Sequence, residues 1–503
     1  MPGAVRTEAD QAAIVAALES GQASGERAPL KRIDTHMSHL FLGATRVYKL
    51  KRAIRHPFAD MSTPEARRRA CEAELEVNRP LAPGLYEGVL PAVRGEDGAI
   101  RIGGAGEAVD WVVAMRRFED GALLSEMAEA GRLTPELTLA AAEVTARFHA
   151  GLPSAHEGGH TADYQRIIEG LRQTEAQGAA ALGVLPASAP LFDALEHELT
   201  RQTPLIEARR RAGWVRRGHG DLHLRNICLF AGRVTPFDAL EFDPALATAD
   251  VIYDVAFLLM DLRVRGLDWL ANLAMNRYWD ASDQPEAGLA LLPLFMALRA
   301  AVRTAVTVEA GDLAEADRYR RLGLSLLKPP AARLAAIGGL SGTGKSALAQ
   351  AVAPRLDGPC GARVLRSDVV RKILAGVAAT DRLADAAYQP AARDAVYREL
   401  AERARAALGA GATVIADATF REDEARDEIE QAAGGHPFAG LWLTAPTPVR
   451  VERVARRQGD ASDATAKVAA DQVEPQRLGP GWRNLDADRP LEALAADLLA
   501  HGS

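Results

Sequence analysis

The chain contains 503 residues, which predicts two or three domains, because single hydrophobic cores stop growing beyond roughly 250–300 residues. Hydrophobic residues form 48% of the chain and charged residues 25%, values typical of folded domains, so a disordered or fibrous protein is not favoured. The formal net charge of −7 opposes a general attraction to nucleic acids and to anionic membranes.

Targeting signals and paired cysteines are not evident in the sequence. Cys71, Cys228 and Cys360 lie far apart and match neither metal-ligand spacing nor a disulfide framework. No uncharged run reaches the ~20 residues of a membrane span, and the first residues are acidic where a signal peptide would be apolar. We therefore expect a cytoplasmic protein without a membrane partner.

The first predicted elements along the chain are short strands. Segments 40–50 and 109–115 contain β-branched and aromatic residues typical of strands, whereas the Pro/Gly-rich segment 80–106 predicts turns and short strands. Within the first segment, Lys49 and Lys51 share one face, because side chains alternate along a strand. Either lysine could bind the α- and β-phosphates of ATP if this region is a kinase-like small lobe.

A helix predicted around 65–79 supplies the acid that such a lysine needs as a partner. Its candidates are Glu72, Glu74 and Glu76. Residues 114–118, AMRRF, are expected to link two lobes and to present backbone groups to adenine. Segments 140–150 and 291–308 are rich in alanine and leucine, so the chain after about residue 120 is predicted to be mostly helical.

The stretch 219–229, HGDLHLRNICL, and the VTPFD run at 234–238 predict a catalytic loop followed by a strand, a turn and a strand. Asp221 would receive or orient the proton of an acceptor hydroxyl, and Asn226 would bind Mg²⁺. Asp238, at the far end of the hairpin, would bind the same metal. Three oxygen-bearing side chains are therefore expected to meet at one point.

Neighbouring residues leave alternatives open. His219 is expected to brace the loop through hydrogen bonds, because Asp221 already supplies a carboxylate for the proton. Glu241 and Asp243 compete with Asp238 as metal ligands, since the DALEFD segment does not reveal which carboxylate points inward. A polar loop built on an Asx turn is the structural alternative for the whole motif.

Residues from about 30 to 325 resemble the aminoglycoside-phosphotransferase family, which has a protein-kinase-like fold. The HGDLHLRNI and YKLKR stretches carry this resemblance. It selects Lys49 as the ATP-binding lysine, and Glu74 is taken as its partner. The chain departs from the kinase pattern at 35–40, where THMSHL stands in place of a G-x-G-x-x-G loop. This departure favours a binding role without catalysis as the alternative for this half.

Lys328-Pro329-Pro330 marks the clearest domain boundary, because two prolines end a long helical region. The ARLAAIGGL run that follows predicts a short buried strand entering a glycine loop. We predict a first domain over 1–328, with a small lobe at about 30–117 and a helical lobe at about 118–328. The second domain is predicted to cover 331–503.

The second domain opens with a phosphate-binding motif. Residues 339–346, GLSGTGKS, fit G-x-x-x-x-G-K-[ST] at every fixed position, between a predicted strand and a predicted helix. Backbone N–H groups of the loop would wrap the phosphates, Lys345 would reach the β- and γ-phosphates, and Ser346 would bind Mg²⁺. The predicted ATP-binding residues are Gly339, Ser341, Gly342, Thr343, Gly344, Lys345 and Ser346.

Two later strands are predicted to end in acids at the ligand-binding edge of a parallel sheet. Segment 363–368, RVLRSD, ends in Asp368, which is placed to accept a proton from an acceptor hydroxyl. Segment 413–417, TVIAD, ends in Asp417, which fits a Mg²⁺ ligand. Either acid could instead cap a helix at a strand-to-helix turn.

An arginine cluster follows in the second domain. Its members are Arg450, Arg453, Arg456 and Arg457. Arg453 and Arg457 are spaced i,i+4, so one helix face would present both to the phosphates of ATP as part of a lid. A solvated basic helix face is the alternative. The GDASD segment at 459–463 predicts the turn of this lid.

Residues 331–503 resemble small P-loop kinases, a family that includes gluconate kinase, polynucleotide 5′-kinase and zeta-toxin-like proteins. The P-loop, the LRSDVVRK element, the VIADAT strand and the arginine cluster carry the resemblance. It implies that Asp368 contacts the acceptor hydroxyl and that Arg371 helps to hold the substrate. Together with the first module, the chain resembles bifunctional aminoglycoside phosphotransferase/ATP-binding proteins.

These patterns predict a protein-kinase-like α+β fold followed by an α/β P-loop NTPase fold with a parallel sheet. Each half is expected to bind ATP and Mg²⁺ and to transfer the γ-phosphoryl group to a hydroxyl of a small molecule. One alternative is a regulatory ATP-binding protein with a single catalytic half. Another is a nucleotide or polynucleotide kinase activity in the second half, against which the acidic charge argues mildly.

Overall fold

The computed structural model of the chain describes residues 7–56, 59–241, 243–328, 331–378, 381–456 and 461–500. The chain forms two compact units. Unit 1 comprises Met1–His160 and Glu207–Leu258, and unit 2 comprises Thr161–Ile206 and Leu259–Ser503. Unit 2 thus includes helices that the sequence assigns to the first domain. The predicted boundary at Pro329 and Pro330 lies outside the described residues, so the domain limits stay a prediction.

Unit 1 begins with a six-stranded antiparallel sheet in the order β1-β2-β3-β8-β6-β7. The strands are β1 Lys31–Asp34, β2 Ser38–Leu42, β3 Arg46–Lys51, β4 Arg55–His56, β5 Ala59–Asp60, β6 Tyr86–Arg94, β7 Ile100–Ile102 and β8 Glu107–Arg116. The strand predicted over 40–50 is two strands, because the Gly43 N–H donates to the Arg46 carbonyl at 2.8 Å and closes a tight turn. The short β4 and β5 form a separate hairpin.

Four helices accompany this sheet: α1 Glu8–Glu19, α2 Pro64–Asn78, α3 Leu124–Glu129 and α4 Pro135–Gly151. Alternate residues of β8 enter different cores, as expected of a strand covered on both faces. Val112 packs in a cluster with Leu18 of α1, and Val113 packs in a cluster with Cys71 of α2. The sheet therefore fixes α2 on the face opposite to α1.

The remainder of unit 1 is built from short elements. They are β9 Val215–Arg217, a 3₁₀ turn Leu224–Asn226, β10 Ile227–Phe230, β11 Arg233–Pro236, α7 Pro244–Ala247, β12 Thr248–Asp250 and the start of α8 Val251–Val264. Strands β10 and β11 form the hairpin predicted after the catalytic loop. Its turn residues Ala231 and Gly232 both have positive φ, 49° and 75°, as the tightest hairpin turns require.

The first part of unit 2 is helical. Its helices are α5 Thr161–Ala181, α6 Ala189–Arg211, α9 Asp268–Ala281, α10 Leu292–Glu309 and α11 Leu313–Leu326. The run Glu286–Glu309 is long and apolar enough to cross a membrane by length and composition alone, but 72% of the 18-residue window that meets this criterion is buried inside the protein. Helix α10 is therefore accounted for as a core helix, packed against α5 and α11.

The second part of unit 2 is a five-stranded parallel sheet in the order β14-β15-β13-β16-β17. The strands are β13 Leu334–Gly339, β14 Arg363–Arg366, β15 Val414–Asp417, β16 Phe438–Thr444 and β17 Trp482–Asp486. The helices are α12 Lys345–Val352, α13 Ser367–Leu374, α14 Pro390–Gly409, α15 Asp423–Ala432, α16 Thr447–Ala455, α17 Ala466–Asp471 and α18 Leu491–Ala500. Both predicted fold classes are confirmed.

Candidate functional site

Strand β3 and helix α2 bring a lysine and a glutamate together. Lys49 Nζ lies 2.8 Å from Glu74 Oε1 and 2.5 Å from Asp238 Oδ1, so one ammonium group contacts two carboxylates. Glu74 is fully buried, whereas 41% of the Asp238 side chain is exposed. Three residues selected from distant parts of the sequence therefore meet at one place.

Lys51, the alternative lysine, contacts the same glutamate. Its Nζ lies 2.5 Å from Glu74 Oε2 and also pairs with Glu241. Burial acts to raise the pKa of Glu74, but Lys49 and Lys51 outweigh this effect and lower it. Burial acts to lower the pKa of each lysine, and the facing carboxylates raise it instead. Glu74 and both lysines are therefore ionised at neutral pH.

The rival acids have other partners or stay at the surface. Glu241 is buried against Lys51, and Asp243 caps helix α7 by accepting the Ala245 N–H at 2.9 Å. On α2, Glu72 forms an exposed pair with Arg68, and Glu76 is exposed. Among these acids, Asp238 is thus the carboxylate that combines exposure to solvent with contact to the strand lysine.

The loop that carries Asp238 is held by helix α2 and strand β6. The Asp238 N–H donates to the Tyr86 hydroxyl at 3.1 Å, and the Ala239 N–H donates to Asn78 Oδ1 at 2.9 Å. Asp238 has a φ of 61°, a left-handed backbone that costs energy for residues other than glycine and often marks functional positions. Asn78 lies one turn after Glu74, so one helix positions both acids.

The predicted catalytic loop, residues 219–226, places Asn226 against Asp221. Asn226 Nδ2 donates to Asp221 Oδ2 at 2.8 Å and to the Asp221 carbonyl at 3.0 Å, and neither bond uses Asn226 Oδ1, the atom predicted to bind Mg²⁺. The Phe237 N–H donates to the Asn226 carbonyl at 2.9 Å, next to Asp238 in the chain. This contact brings the far end of the hairpin back to the catalytic loop.

His219 occupies the bracing position expected from the sequence. Its Nε2 lies 2.9 Å from the Phe237 carbonyl, and its Nδ1 lies 3.3 Å from the Asp221 backbone nitrogen. The first contact requires a proton on Nε2 and the second requires a lone pair on Nδ1, so this geometry fits the neutral ring. Burial lowers the pKa of His219 and favours the same form.

Asp254, on helix α8, supports the loop from below and was not singled out from the sequence as a site residue. Its carboxylate accepts the His219 N–H at 2.7 Å and the Gly220 N–H at 2.9 Å, and it pairs with His149 at 3.0 Å. A Cβ at Gly220, whose φ is 79°, would lie 2.9 Å from Leu240 Cβ. An acid in the most apolar stretch of the chain was the signal that could have predicted a buried partner.

His223 is a second residue whose place near Asp221 was not predicted. Its Nε2 lies 3.3 Å from Asp221 Oδ2, and its ring meets the Phe257 ring edge-on at a centroid distance of 5.0 Å. Phe257 thus limits the positions that the imidazole can take. The signal for His223 was its place two residues after Asp221 within the same motif.

The β1–β2 connection, where a glycine-rich loop was expected, is a short turn shaped by side chains. The Thr35 hydroxyl accepts the Ser38 N–H at 3.0 Å and donates to the Ser38 carbonyl at 2.9 Å. Arg52 donates to the carbonyls of Thr35 and His36 at 3.0 and 3.2 Å. This connection is therefore closed by hydrogen bonds, without glycine.

The P-loop of unit 2 runs from the end of β13 into the start of α12. Gly344 precedes the helix with a φ of 96°, and a Cβ at Gly342 would lie 2.4 Å from the Arg450 carbonyl oxygen. Both positions therefore favour glycine. Lys345 Nζ donates to the Leu340 carbonyl at 3.0 Å across the loop. The backbone thus adopts the curved path that the motif predicts.

The remaining loop residues are fixed by short contacts. The Thr343 hydroxyl donates to the Leu340 carbonyl at 2.9 Å, and the Ser341 N–H donates to Gln472 Oε1 at 2.7 Å. Gly339, the last residue of β13, has a φ of 137°. Gln472 occupies a backbone N–H group that the motif assigns to phosphate binding.

Ser346 and Asp417 meet beside the P-loop. The Ser346 hydroxyl donates to Asp417 Oδ2 at 2.6 Å, and Arg366 lies 3.3 Å from the same hydroxyl and 3.4 Å from the same carboxylate. Strands β14 and β15 are neighbours, so their ends bring Arg366 and Asp417 together. A hydroxyl and a carboxylate are hard oxygen ligands of the kind that Mg²⁺ prefers.

The sequence predicted Asp368 at the end of strand β14, and this prediction is wrong. Asp368 lies in the first turn of helix α13. The strand ends at Arg366, two residues earlier. Burial raises the pKa of Asp368 and nearby Asp417 adds to this effect, whereas Arg366 and a hydrogen bond with Ser462 oppose it. The carboxylate is therefore a better proton acceptor than an exposed aspartate.

Arg371 follows one turn later on the same helix. Its Nη1 donates to the Ala387 carbonyl at 2.7 Å, and its guanidinium lies over the Tyr388 ring at 4.8 Å from the centroid. The Tyr388 hydroxyl donates to Asp463, which also accepts from Lys372 at 2.8 Å. Asp463 thus connects the predicted lid turn to the segment that contacts Arg371.

The arginines of α16 have separate partners. Arg450 is buried and donates to the Ala469 carbonyl at 2.7 Å, whereas Arg456 pairs with Glu452 at 2.6 Å on the surface. Arg453 lies 3.5 Å from the Ala487 carbonyl, so contact with a phosphate would require it to give up this position. Arg457 lies outside the described residues. The lid role of Arg453 and Arg457 stays a prediction.

The chain matches a known domain family and is similar to other proteins along most of its length. The AAA domain family matches residues 334–477. The chain is 32% identical over 478 residues to "Uncharacterized protein Rv2004c" of Mycobacterium tuberculosis H37Rv and to "Uncharacterized protein Mb2027c" of Mycobacterium bovis. Each alignment covers 91% of this chain and 92% of the relative.

Similar solved structures fall into two groups. A gluconokinase from Sinorhizobium meliloti 1021 is 22% identical and covers 34% of this chain and 92% of its own, with a TM-score of 0.26. A choline/ethanolamine kinase family protein from Mesorhizobium loti is 16% identical and covers 64% of this chain and 96% of its own, with a TM-score of 0.39. The AAA domain match confirms the predicted P-loop module in the second half of the chain.

Proposed function

We propose that this chain, which belongs to the same family as the mycobacterial proteins Rv2004c, MT2060 and Mb2027c, is a phosphotransferase. It has two ATP sites, one in each half. Each site transfers the γ-phosphoryl group of ATP to a hydroxyl of a small-molecule acceptor. When bound, Mg²⁺ neutralises the charge of the triphosphate. We place the activity in the cytoplasm, a reducing compartment that suits the three unpaired cysteines Cys71, Cys228 and Cys360.

In the first site, Lys49 binds the α- and β-phosphates, and Glu74 holds Lys49 in position. Asp238 and Asn226 are the residues that would hold Mg²⁺, because carboxylate and amide oxygens suit this ion. Asp221 orients the acceptor hydroxyl and takes up its proton. Transfer then depends on positioning and charge neutralisation, which contribute most of the rate in this chemistry.

In the second site, backbone N–H groups of residues 339–346 surround the phosphates, and Lys345 leaves the Leu340 carbonyl to bind them. Ser346 and Asp417 are the residues that would hold Mg²⁺. Asp368 accepts the proton of the acceptor hydroxyl, and Arg371 holds the acceptor. The raised pKa of Asp368 suits this role, because a stronger base takes a proton more readily.

One observation carries the proposal: in each half a lysine lies beside oxygen-bearing side chains of the kinds that suit a Mg²⁺-bound triphosphate. In unit 1, Lys49 Nζ lies 2.5 Å from Asp238 Oδ1. In unit 2, Ser346, adjacent to Lys345 in the chain, lies 2.6 Å from Asp417 Oδ2. Lysine, carboxylate and hydroxyl groups in this proximity match the needs of a bound metal–triphosphate.

A regulatory ATP-binding protein is the second candidate. It is favoured by the turn at Thr35–Ser38, where hydrogen bonds replace the glycine-rich loop that covers phosphates in kinases. In that case the first site would bind nucleotide without transfer. A nucleotide or polynucleotide kinase activity of the second site remains a narrower version of the main proposal.

The test uses the full chain and three variants: Asp221→Asn, Lys345→Ala and the double variant. Radiolabelled ATP is offered with a panel of hydroxylated metabolites, aminoglycosides and short oligonucleotides. We expect each single variant to lose a different labelled product, by roughly a hundredfold or more, and the double variant to lose both. If Asp221→Asn leaves every product unchanged, the first half is a binding module and the second candidate is correct.

A further inference from the structure

The first site contains a row of alternating charges that is buried at one end and exposed at the other, and it includes two lysines. The row consists of Asp238, Lys49, Glu74, Lys51 and Glu241, in the order of their contacts. Glu74 stands at its centre and gives one oxygen to each lysine, Oε1 to Lys49 and Oε2 to Lys51. The function considered so far uses the outer three groups and leaves the Lys51–Glu241 pair without a role.

The two ends of the row differ in exposure. The side chains of Lys51 and Glu241 are 1% and 6% exposed, whereas those of Lys49 and Asp238 are 11% and 41% exposed. Solvent and ligands therefore reach the outer end and not the inner end. Only Lys49 can exchange a protein partner for a phosphate oxygen without exposing buried charge.

Both ends of the row also belong to one loop. Asp238 and Glu241 are three residues apart, and each pairs with a lysine of strand β3. The backbone N–H groups between them are held as well, since Ala239 donates to Asn78 Oδ1 and Leu240 donates to the His219 carbonyl at 2.8 Å. Two ion pairs thus attach the 238–241 loop to the small lobe, and the inner pair, Lys51–Glu241, is buried from solvent.

Charge balance separates the roles of the two lysines. The row contains three carboxylates and two ammonium groups. If Lys51 carried no charge, Lys49 would be the only cation in the row that could neutralise the buried Glu74 carboxylate. Lys49 could not then bind a phosphate oxygen without weakening its ion pair with Glu74. With Lys51 in place, Glu74 keeps a permanent partner while Lys49 changes partners.

We propose that Lys51 is a positioning residue that binds Glu74 and Glu241 permanently, so that the 238–241 loop stays docked and Lys49 is free to move from Asp238 to the nucleotide phosphates. The inference rests on the proposed function of the first site for its nucleotide step. Its docking step stands on the contacts alone and can be measured without nucleotide.

The first experiment measures amide hydrogen exchange of the 237–241 segment in the nucleotide-free protein. Lys51→Met and Glu241→Gln are expected to speed this exchange at least tenfold, whereas Lys49→Met changes it less than threefold. Glu72→Gln, which breaks an exposed ion pair on helix α2 near Glu74, is the matched control and should not change the exchange rate. Equal effects of Lys49→Met and Lys51→Met would overturn the proposal.

The second experiment measures binding of a non-hydrolysable ATP analogue with Mg²⁺ to the first site, in a Lys345→Ala background. Lys51→Met should weaken binding about tenfold, and Lys51→Arg should restore it to within about threefold, because arginine keeps the charge. A folded Lys51→Met protein that binds as tightly as its background contradicts the proposal. If Lys51→Met does not fold, Glu241→Gln takes its place and should weaken binding of the analogue about threefold. Unchanged binding in Glu241→Gln would contradict the proposal.

The same measurements separate this inference from the proposed function. If the Lys345→Ala background itself binds no analogue, the first site does not bind nucleotide and the proposed function of that half fails. Faster exchange in Lys51→Met would then still support the docking role. If the background binds but Lys51→Met changes neither exchange nor affinity, the inference alone fails.

Discussion

The Ser346 hydroxyl donates a hydrogen bond of 2.6 Å to Asp417 Oδ2, across 71 positions of the chain. The parallel pairing of β13 with β15 creates this contact, because it brings the end of one strand beside the loop that follows the other. Both oxygens are ligands that Mg²⁺ accepts, and each is already oriented by the other. The contact therefore holds two candidate metal ligands together before any metal arrives.

The first prediction concerns this pair. We expect Ser346→Ala and Asp417→Asn each to reduce second-site turnover by roughly a hundredfold at low Mg²⁺, because each removes a proposed metal ligand. The double variant should lose much less than the product of the two effects, since both act through one ion. Initial rates over a Mg²⁺ titration measure this. Ser325→Ala, at an exposed helix position, is the control; multiplicative losses would show that the two residues act separately.

The second prediction concerns Asp368. Because burial raises the pKa of this carboxyl, the folded state holds its proton to higher pH than the unfolded state, and stability falls as pH rises through that window. Asp368→Asn removes this cost, so at neutral pH it should unfold at the same or a higher temperature than the parent chain. Turnover at the second site should fall by at least a hundredfold, while binding of Mg·ATP is kept.

Thermal unfolding, nucleotide binding and acceptor phosphorylation together check the Asp368 prediction. Asp427→Asn, at an exposed position of α15, serves as the control and should leave all three measurements unchanged. A loss of unfolding temperature of several degrees in Asp368→Asn would assign the carboxylate a structural role instead.

Local motifs made much of both candidate sites predictable. The P-loop could be located because its glycines, lysine and serine act within eight consecutive residues. The Asp221–Asn226 contact was equally predictable, since the two residues lie five positions apart in one loop. Where the residues of a site lie within one loop, their spacing in the sequence predicts which side chains are close together.

Contacts between distant elements were less accessible. The two-residue period correctly put Lys49 and Lys51 on one face, but it could not show that both reach Glu74. Asp254 meets His219 only because helix α8 passes beneath the catalytic loop, 35 positions later in the chain. Helical spacing placed the arginines of α16 near one another but did not predict that Arg450 is buried. Tertiary packing decides each of these cases.

The third prediction concerns His219. Its neutral ring donates from Nε2 to the Phe237 carbonyl and accepts the Asp221 N–H at Nδ1, and burial lowers its pKa. Between this lowered pKa and the unfolded value of about 6.5, the unfolded chain binds more protons, so the free energy of unfolding rises with pH. This stability is lost as the pH falls below about 6.5.

Denaturant unfolding between about pH 5 and pH 7.5 measures the effect. We expect His219→Gln to flatten the slope in this range, because glutamine does not titrate. His197→Gln, on an exposed face of α6, is the matched control and should keep the parent slope. An identical slope in the parent chain and in His219→Gln would assign the pH dependence to other groups.

The fourth prediction concerns Arg363, the first residue of β14. Its side chain is 1% exposed and pairs with Asp280 at 2.8 Å and with Glu286 at 3.0 Å. Asn276 binds the same guanidinium at 3.1 Å and accepts the Val364 N–H at 2.7 Å. Although burial opposes the charge, the two acids raise the pKa of Arg363. Helix α9 and the residues after it thus hold one end of the strand that leads to Asp368.

Arg363→Met should lower the free energy of unfolding of unit 2 by about 3–5 kcal/mol, because it leaves two largely buried carboxylates without their main cation. Arg355→Met removes an exposed pair with Glu492 and should cost no more than about 1 kcal/mol. Urea unfolding compares the two variants. Because β14 ends two residues before Asp368, we also expect Arg363→Met to reduce second-site transfer more than first-site transfer. Equal stability losses in the two arginine variants would mean that the buried cluster contributes no more than a surface ion pair. An equal loss of first-site and second-site transfer in Arg363→Met would mean that the cluster does not act through strand β14.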